Sequence, residues 1–132
     1  MATAALFNTH LRDNLNFLDP TISWNAVTFQ NGWSNYFDAT YGNVQYARIG
    51  PFVAVRGLMA GGTMSAVAFK FGDLSLRPHR QMNFNCASSS ATPRQLEINW
   101  DSTSAVVYVQ GDAHGSSTGW LSASMVYPVE TA

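Results

Sequence analysis

Apolar positions recur along this chain with two different periods. Between residues 3 and 18, Phe7, Leu11, Leu15 and Leu18 follow one another at spacings of four, four and three, which places them on one stripe of an amphipathic helix. Thr3 offers an N-cap oxygen at its start, Asp19-Pro20 ends it, and no Gly or Pro interrupts it. From Ser23 onward the period is two, and strands are expected over 24–29, 46–49, 52–59, 66–71, 82–87, 95–100, 105–110 and 120–127. Asn31-Gly32, Gly61-Gly62, Ser88-Ser89-Ser90 and the run from Gly111 to Gly119 punctuate them. Pro51 cannot donate to a ladder and marks a bulge or a strand start.

Short strands at regular spacing, with no second helical pattern, predict a mainly β chain. The expected architecture is an antiparallel β-sandwich or jelly-roll-like domain over residues 21–132, preceded by one short N-terminal α-helix within residues 1–20. The strands differ in their faces. In 95–100, Leu96, Ile98 and Trp100 alternate with Gln95, Glu97 and Asn99, the signature of a half-buried strand with one wet face. In 52–59, Phe52, Ala54 and Leu58 oppose Val53, Val55 and Met59, so cover on both sides is expected, the second side from a neighbouring subunit.

A helix of about four turns is marginal alone in water, so its stripe must bury against something. Two partners fit: its own β-domain, or copies of itself. For copies, Asn14 near the middle of the stripe would set register and copy number in a short parallel bundle.

The chain has 132 residues, enough for one core. Charged residues make up 11% of it and the formal net charge is −1, with Lys70 the only lysine. A basic face for nucleic acid is therefore not expected. At 46% hydrophobic and 13% aromatic the chain has the apolar area to fold. Cys86 stands alone, which excludes an intramolecular disulfide. With no apolar run of spanning length and no signal-like start, membrane insertion is not expected, and synthesis in a reducing cytoplasm is.

Candidate chemistry is sparse. Asp112, His114 and Ser116 hold the residue types of an acyl-transfer triad within five positions, but a triad converges from separated segments and these lie in a glycine-rich turn. Asp112 and His114 make no metal site without further ligands, and His10 and His79 lie in other elements. Glu97, Glu130 and the aspartates occur singly, with no pair of the kind a glycosidase uses. No catalytic residue, metal site or cofactor is expected. In Leu76-Arg77-Pro78-His79-Arg80 a structural ion pair for Arg77 is expected.

The aromatics are more informative. Trp33, Tyr36 and Tyr41 lie in the polar stretch 31–43 and are expected at a surface or subunit contact. Rings set among amide side chains are the means by which proteins hold saccharides, apolar sugar face on ring and hydroxyls on amides.

The run Thr3-Ala4-Ala5-Leu6-Phe7-Asn8-Thr9-His10-Leu11-Arg12-Asp13-Asn14-Leu15-Asn16-Phe17-Leu18 resembles a segment recurrent in virion structural proteins of tailed bacteriophages. Downstream, the spaced residues Trp24, Val27, Asn31-Gly32, Tyr46, Arg48, Gly50, Val53, Val55, Gly57, Gly61, Phe69, Leu76-Arg77-Pro78 and Phe84 are similar to the β-sandwich heads of phage fibre and baseplate proteins. The chain departs from that pattern at Phe71-Gly72-Asp73-Leu74-Ser75-Leu76, where relatives often carry Leu-Pro, and in having no long shaft before the head.

The resemblance implies a non-enzymatic virion surface protein and a homotrimer. The helix would be its trimer anchor or its docking element, with Phe7, Leu11, Asn14, Leu15 and Leu18 at the contact. Two functions are compatible with it. One is a tail knob that attaches the particle to a host-surface saccharide by avidity. The other is a capsid decoration protein that stabilises the assembled head, a reading the missing shaft favours. The expected partners are copies of the chain and a tail or major capsid protein. A small polysaccharide hydrolase is the third reading, and no acid–base pair supports it.

Overall fold

The computed structural model describes residues 3–6, 8–10, 22–36, 42–89, 94–110 and 119–130. A short helix over Ala4–10 precedes the β-strands. It is capped as the sequence predicts: the Leu6 amide donates to the Thr3 hydroxyl oxygen at 3.1 Å. Leu11, Asn14, Leu15 and Leu18 lie outside the described residues, as does Phe7.

The strands form three antiparallel sheets. One contains β1 (Asn25–Ala26), β4 (Gln45–Ile49), β5 (Phe52–Arg56) and β12 (Met125–Pro128), in the order β1-β4-β5-β12. A second contains β2 (Thr28–Phe29), β7 (Val67–Lys70), β8 (Met82–Cys86), β9 (Arg94–Trp100) and β10 (Ala105–Gln110), in the order β2-β7-β10-β9-β8. The third, β11-β6-β3, contains β3 (Ser34–Asn35), β6 (Leu58–Ala60) and β11 (Trp120–Ser122).

The small third sheet continues the first around a corner. Leu58 faces Ser122 and Val55 faces Met125 in one unbroken register, and the Ala123 amide donates to the Gly57 carbonyl between them at 2.9 Å. Gly57 is the corner of its strand. Its φ is +110°, and a Cβ there would lie 2.4 Å from the Asn43 carbonyl oxygen, so only glycine lets the 43–44 backbone cross so closely. Likewise β1 and β2 are one strand that bends at Val27 from the first sheet into the second. On the far side, Ser88 bridges Leu121, and the Ser122 amide donates to Ala87 at 2.8 Å, which ties the end of β8 to β11.

These links close the sheets into a flattened barrel whose strand order is that of two successive Greek keys. In the first, β7 returns to lie beside β2; in the second, the β11–β12 leg returns to lie beside the extension of β8. The two keys meet where β7 pairs β10 and β5 pairs β12. Closure leaves few free strand edges to pair with other chains.

Local chemistry accounts for the turns. Asn31 (φ 54°) and Gly32 (φ 81°) both take positive φ, the geometry of an Asn-Gly turn, and the Trp33 amide closes it on the Gln30 carbonyl at 3.2 Å. Gly50 and Pro51 link Ile49 to its partner Phe52, so Pro51 sits where its missing N–H costs no ladder bond. The core between the layers holds Val53, Val55, Met59, Phe69, Leu96, Ile98, Val107, Val109, Leu121 and Tyr127, all buried.

Candidate functional site

Of the expected surface aromatics, Trp33 and Tyr36 lie among the described residues. Trp33 is a correction: it is 3% exposed, within the core, and its indole N–H donates to the Thr63 carbonyl at 3.1 Å. The Asn-Gly turn throws the chain back over the sandwich, and the bare Gly62 backbone makes room for the ring. Tyr36 is half-buried, with its amide on the Leu58 carbonyl at 2.9 Å. Tyr41 lies outside the described residues, as do Asp112, His114 and Ser116; the burial of Trp33 takes its ring out of any glycan platform with Tyr36.

Among the described residues no three His, Cys, Asp or Glu side chains gather as metal ligands. None of the helices there is long and apolar enough to cross a membrane. Burial pushes the Cys86 thiol up, partly offset by the Arg94 charge, so it remains protonated and weakly nucleophilic. Arg77 finds its carboxylate within the chain: its Nε donates to Glu130 Oε2, and the Glu130 amide returns to the Arg77 carbonyl at 2.9 Å. Asp101 accepts from Lys70 Nζ at 2.7 Å and from the Thr103 and Ser104 amides at 2.8 and 2.9 Å. The Lys70 ammonium first, then the Thr103 amide and hydroxyl, hold its carboxyl well below the usual range.

What the tertiary structure does assemble is two outward faces of opposite character. On the first sheet, Val53 and Val55 point into the core while Phe52, Ala54 and Arg56 point out. Register sets Ile49, Phe52 and Pro128 in one outer row and Ala47, Ala54 and Val126 in the next. Phe52 is 46% and Val126 59% exposed. The Arg56 guanidinium lies 3.9 Å above the Trp24 ring and donates to Gln45 at 3.0 Å, a cation–π contact at the rim of the patch. The expectation that 52–59 is covered on both sides is thus met in part: the inner side is buried between the sheets, and on the outer side Ala47 is buried and Ala54 half-buried while Phe52 and Val126 stay exposed.

On the second sheet, Leu96 and Ile98 are fully buried and the alternate positions face out, as the sequence predicts, whereas Trp100, expected on the buried side with them, is 40% exposed at the end of its strand. Register places Asn83, Glu97 and Tyr108 in one outer row and Asn85, Gln95 and Gln110 in the next. Glu97 accepts from Gln110 Nε2 at 3.0 Å and from Asn99 Nδ2 at 3.5 Å. Asn99 also donates to Gln81 at 3.4 Å. No single strand carries this array; sequence shows only the wet side of 95–99, and pairing with β8 and β10 supplies the rest.

No family model matches the chain, and no curated protein and no solved structure matches it. The two faces are therefore read from their own chemistry.

Proposed function

We propose that this chain is a non-enzymatic surface protein of a tailed-phage virion, a trimeric β-sandwich knob that serves in attachment to the host surface. The observation that carries this reading is the apolar outer face of the first sheet, with Phe52, Ala54, Val126 and Pro128 in adjacent rows. Large contiguous apolar surface on a soluble domain marks an interaction site, and a self-complementary patch around a symmetry axis is the simplest way to cover it. The resemblance of residues 3–18 to phage virion segments supports the same assignment. The opposite, polar face is left outward in such an assembly, where an attachment protein needs it.

Immunogold electron microscopy of purified virions with antibody to residues 23–132 tests the assignment. Gold at the tail tip is the expected result. Gold spread over the head replaces attachment with capsid decoration, and virions without gold overturn both.

A further inference from the structure

We propose that the outer face of the second sheet binds neutral polysaccharide, through Asn83, Asn85, Gln95, Glu97, Tyr108 and Gln110. The proposal deepens the attachment reading and rests on it only for the source of the polysaccharide.

The first support is the lattice itself. Two rows of three side chains, Asn83–Glu97–Tyr108 and Asn85–Gln95–Gln110, stand on three neighbouring strands. Strands lie about 4.8 Å apart and same-face residues about 6.8 Å apart along a strand, a spacing comparable to that of hydroxyl groups across and between sugar rings. An amide presents a donor and an acceptor side by side, which matches a pair of neighbouring hydroxyls, each of which both gives and takes a proton.

The second support is which of these groups are held and which are open. Glu97 fixes Gln110 and Asn99 by accepting one N–H from each, at 3.0 and 3.5 Å, so the centre of the lattice is ordered before any ligand arrives. Asn83, Asn85 and Gln95 are exposed, and among the described residues their side chains make no hydrogen bond that would have to break. Tyr108, directly opposite Glu97, is half-buried and so fixed in place. Its ring offers an apolar plane to the C–H face of a sugar.

Charge selects the ligand class. Glu97 is the one charged side chain among the six, and its oxygens take amide donors rather than a cation. Lys70 stands on the same outer face, in the neighbouring row with Val106 and Asn99, and is tied to Asp101 at 2.7 Å. A polyanion finds no cation among these six side chains and meets the Glu97 charge, which disfavours acidic polysaccharide and nucleic acid. An apolar peptide finds no patch to bury. A neutral, hydroxyl-rich chain satisfies the amides without placing a charge beside Glu97.

The test is a printed array of neutral and anionic bacterial surface polysaccharides probed with the full chain. Affinity electrophoresis then follows, through gels containing each polymer that scores. Neutral polymers are expected to score, and N83A/Q95A to weaken retardation by about tenfold. N25A, which removes an exposed amide from the other sheet, is expected to leave it unchanged. Both variants alter exposed side chains, and an unchanged melting curve shows that each folds. The proposal is overturned if no neutral polymer scores, if anionic polymers are preferred, or if N83A/Q95A is retarded like the parent chain. The virion labelling involves no ligand, so the two readings fail separately: gold at the tail with a silent array removes only the glycan face. Retained binding without gold removes only the virion.

Discussion

The Trp33 indole packs so closely over Gly62 that a Cβ on that glycine would lie 2.0 Å from ring atoms Cγ and Cδ2. Trp33 occupies the core only because position 62 has no side chain. Gly62→Ala must push the ring outward and strain its bond to the Thr63 carbonyl, at a cost of about 2–3 kcal/mol. Trp33→Ala leaves a cavity and should cost about 3–5 kcal/mol. Urea unfolding of both variants checks this; a Trp33→Ala protein as stable as the parent would return the ring to the surface role that its polar neighbours suggest.

Gly57 is the second glycine whose replacement should be severe. Its positive φ and the Asn43 carbonyl 2.4 Å from any Cβ act together. Gly57→Ala is expected to cost about 3 kcal/mol, while Gly72→Ala, with positive φ but nothing within 4 Å, should cost about 1 kcal/mol. The difference between their urea midpoints isolates the crossing of 43–44 over the strand corner.

Stability should fall in alkali through two tyrosines. The Tyr127 hydroxyl is buried and donates to the Leu76 carbonyl at 2.7 Å, and burial pushes it far above 10. Tyr46 donates to the Phe71 carbonyl at 3.1 Å and is raised chiefly by burial, with the Asp73 charge adding. Above pH of about 10 the unfolded chain releases these protons while the folded one holds them, so unfolding becomes easier as pH rises. Tyr127→Phe should lose about 1–3 kcal/mol at neutral pH, from the orphaned Leu76 carbonyl, and show a shallower fall between pH 10 and about 12. Melting temperatures across that range are the readout.

The Asp101 turn gives the opposite dependence. Lys70 first, then the Thr103 amide and hydroxyl, favour the ionised carboxylate. This contribution is complete above the ordinary value of 3.8 and is lost as pH falls below it, because the unfolded carboxyl takes up its proton first. Asp101→Asn should therefore flatten the acid limb of the melting-temperature profile below pH of about 4, with little change in the alkaline limb.

The apolar face should govern association. Light scattering after size exclusion is expected to give three times the 14.4 kDa of one chain, and F52S/V126S is expected to shift the chain toward monomer. Both positions are exposed, so the melting temperature of the monomeric unit should change little, by about 0.5 kcal/mol or less in stability. A parent chain that is monomeric at micromolar concentration overturns face-driven assembly in solution.

Most of the strands were legible in the sequence, because a two-residue period reflects a fixed geometry: successive side chains point to opposite sides of any sheet, whatever its neighbours. Leu96 and Ile98 are buried as their alternation requires, and the Thr3 cap, the Asn31-Gly32 turn and the Pro51 turn just before β5 follow from dihedral and hydrogen-bonding preferences of single residues. β3 was not legible, since Ser34–Asn35 has only two residues and no apolar alternation. Nor was the corner at Gly57, where one nominal strand serves two sheets.

Local pattern thus determined which segments are extended and which side of each is apolar, because those properties depend on the backbone of one segment alone. Only the tertiary structure decided which sides face each other. It drew Trp33 inward over Gly62, left Phe52 and Val126 outside, and brought Asn83, Glu97 and Tyr108 into one row from three separate strands. Such placements depend on register between segments far apart in the chain, and register is fixed by the sum of all pairings and by the closing of the core, which no single segment carries.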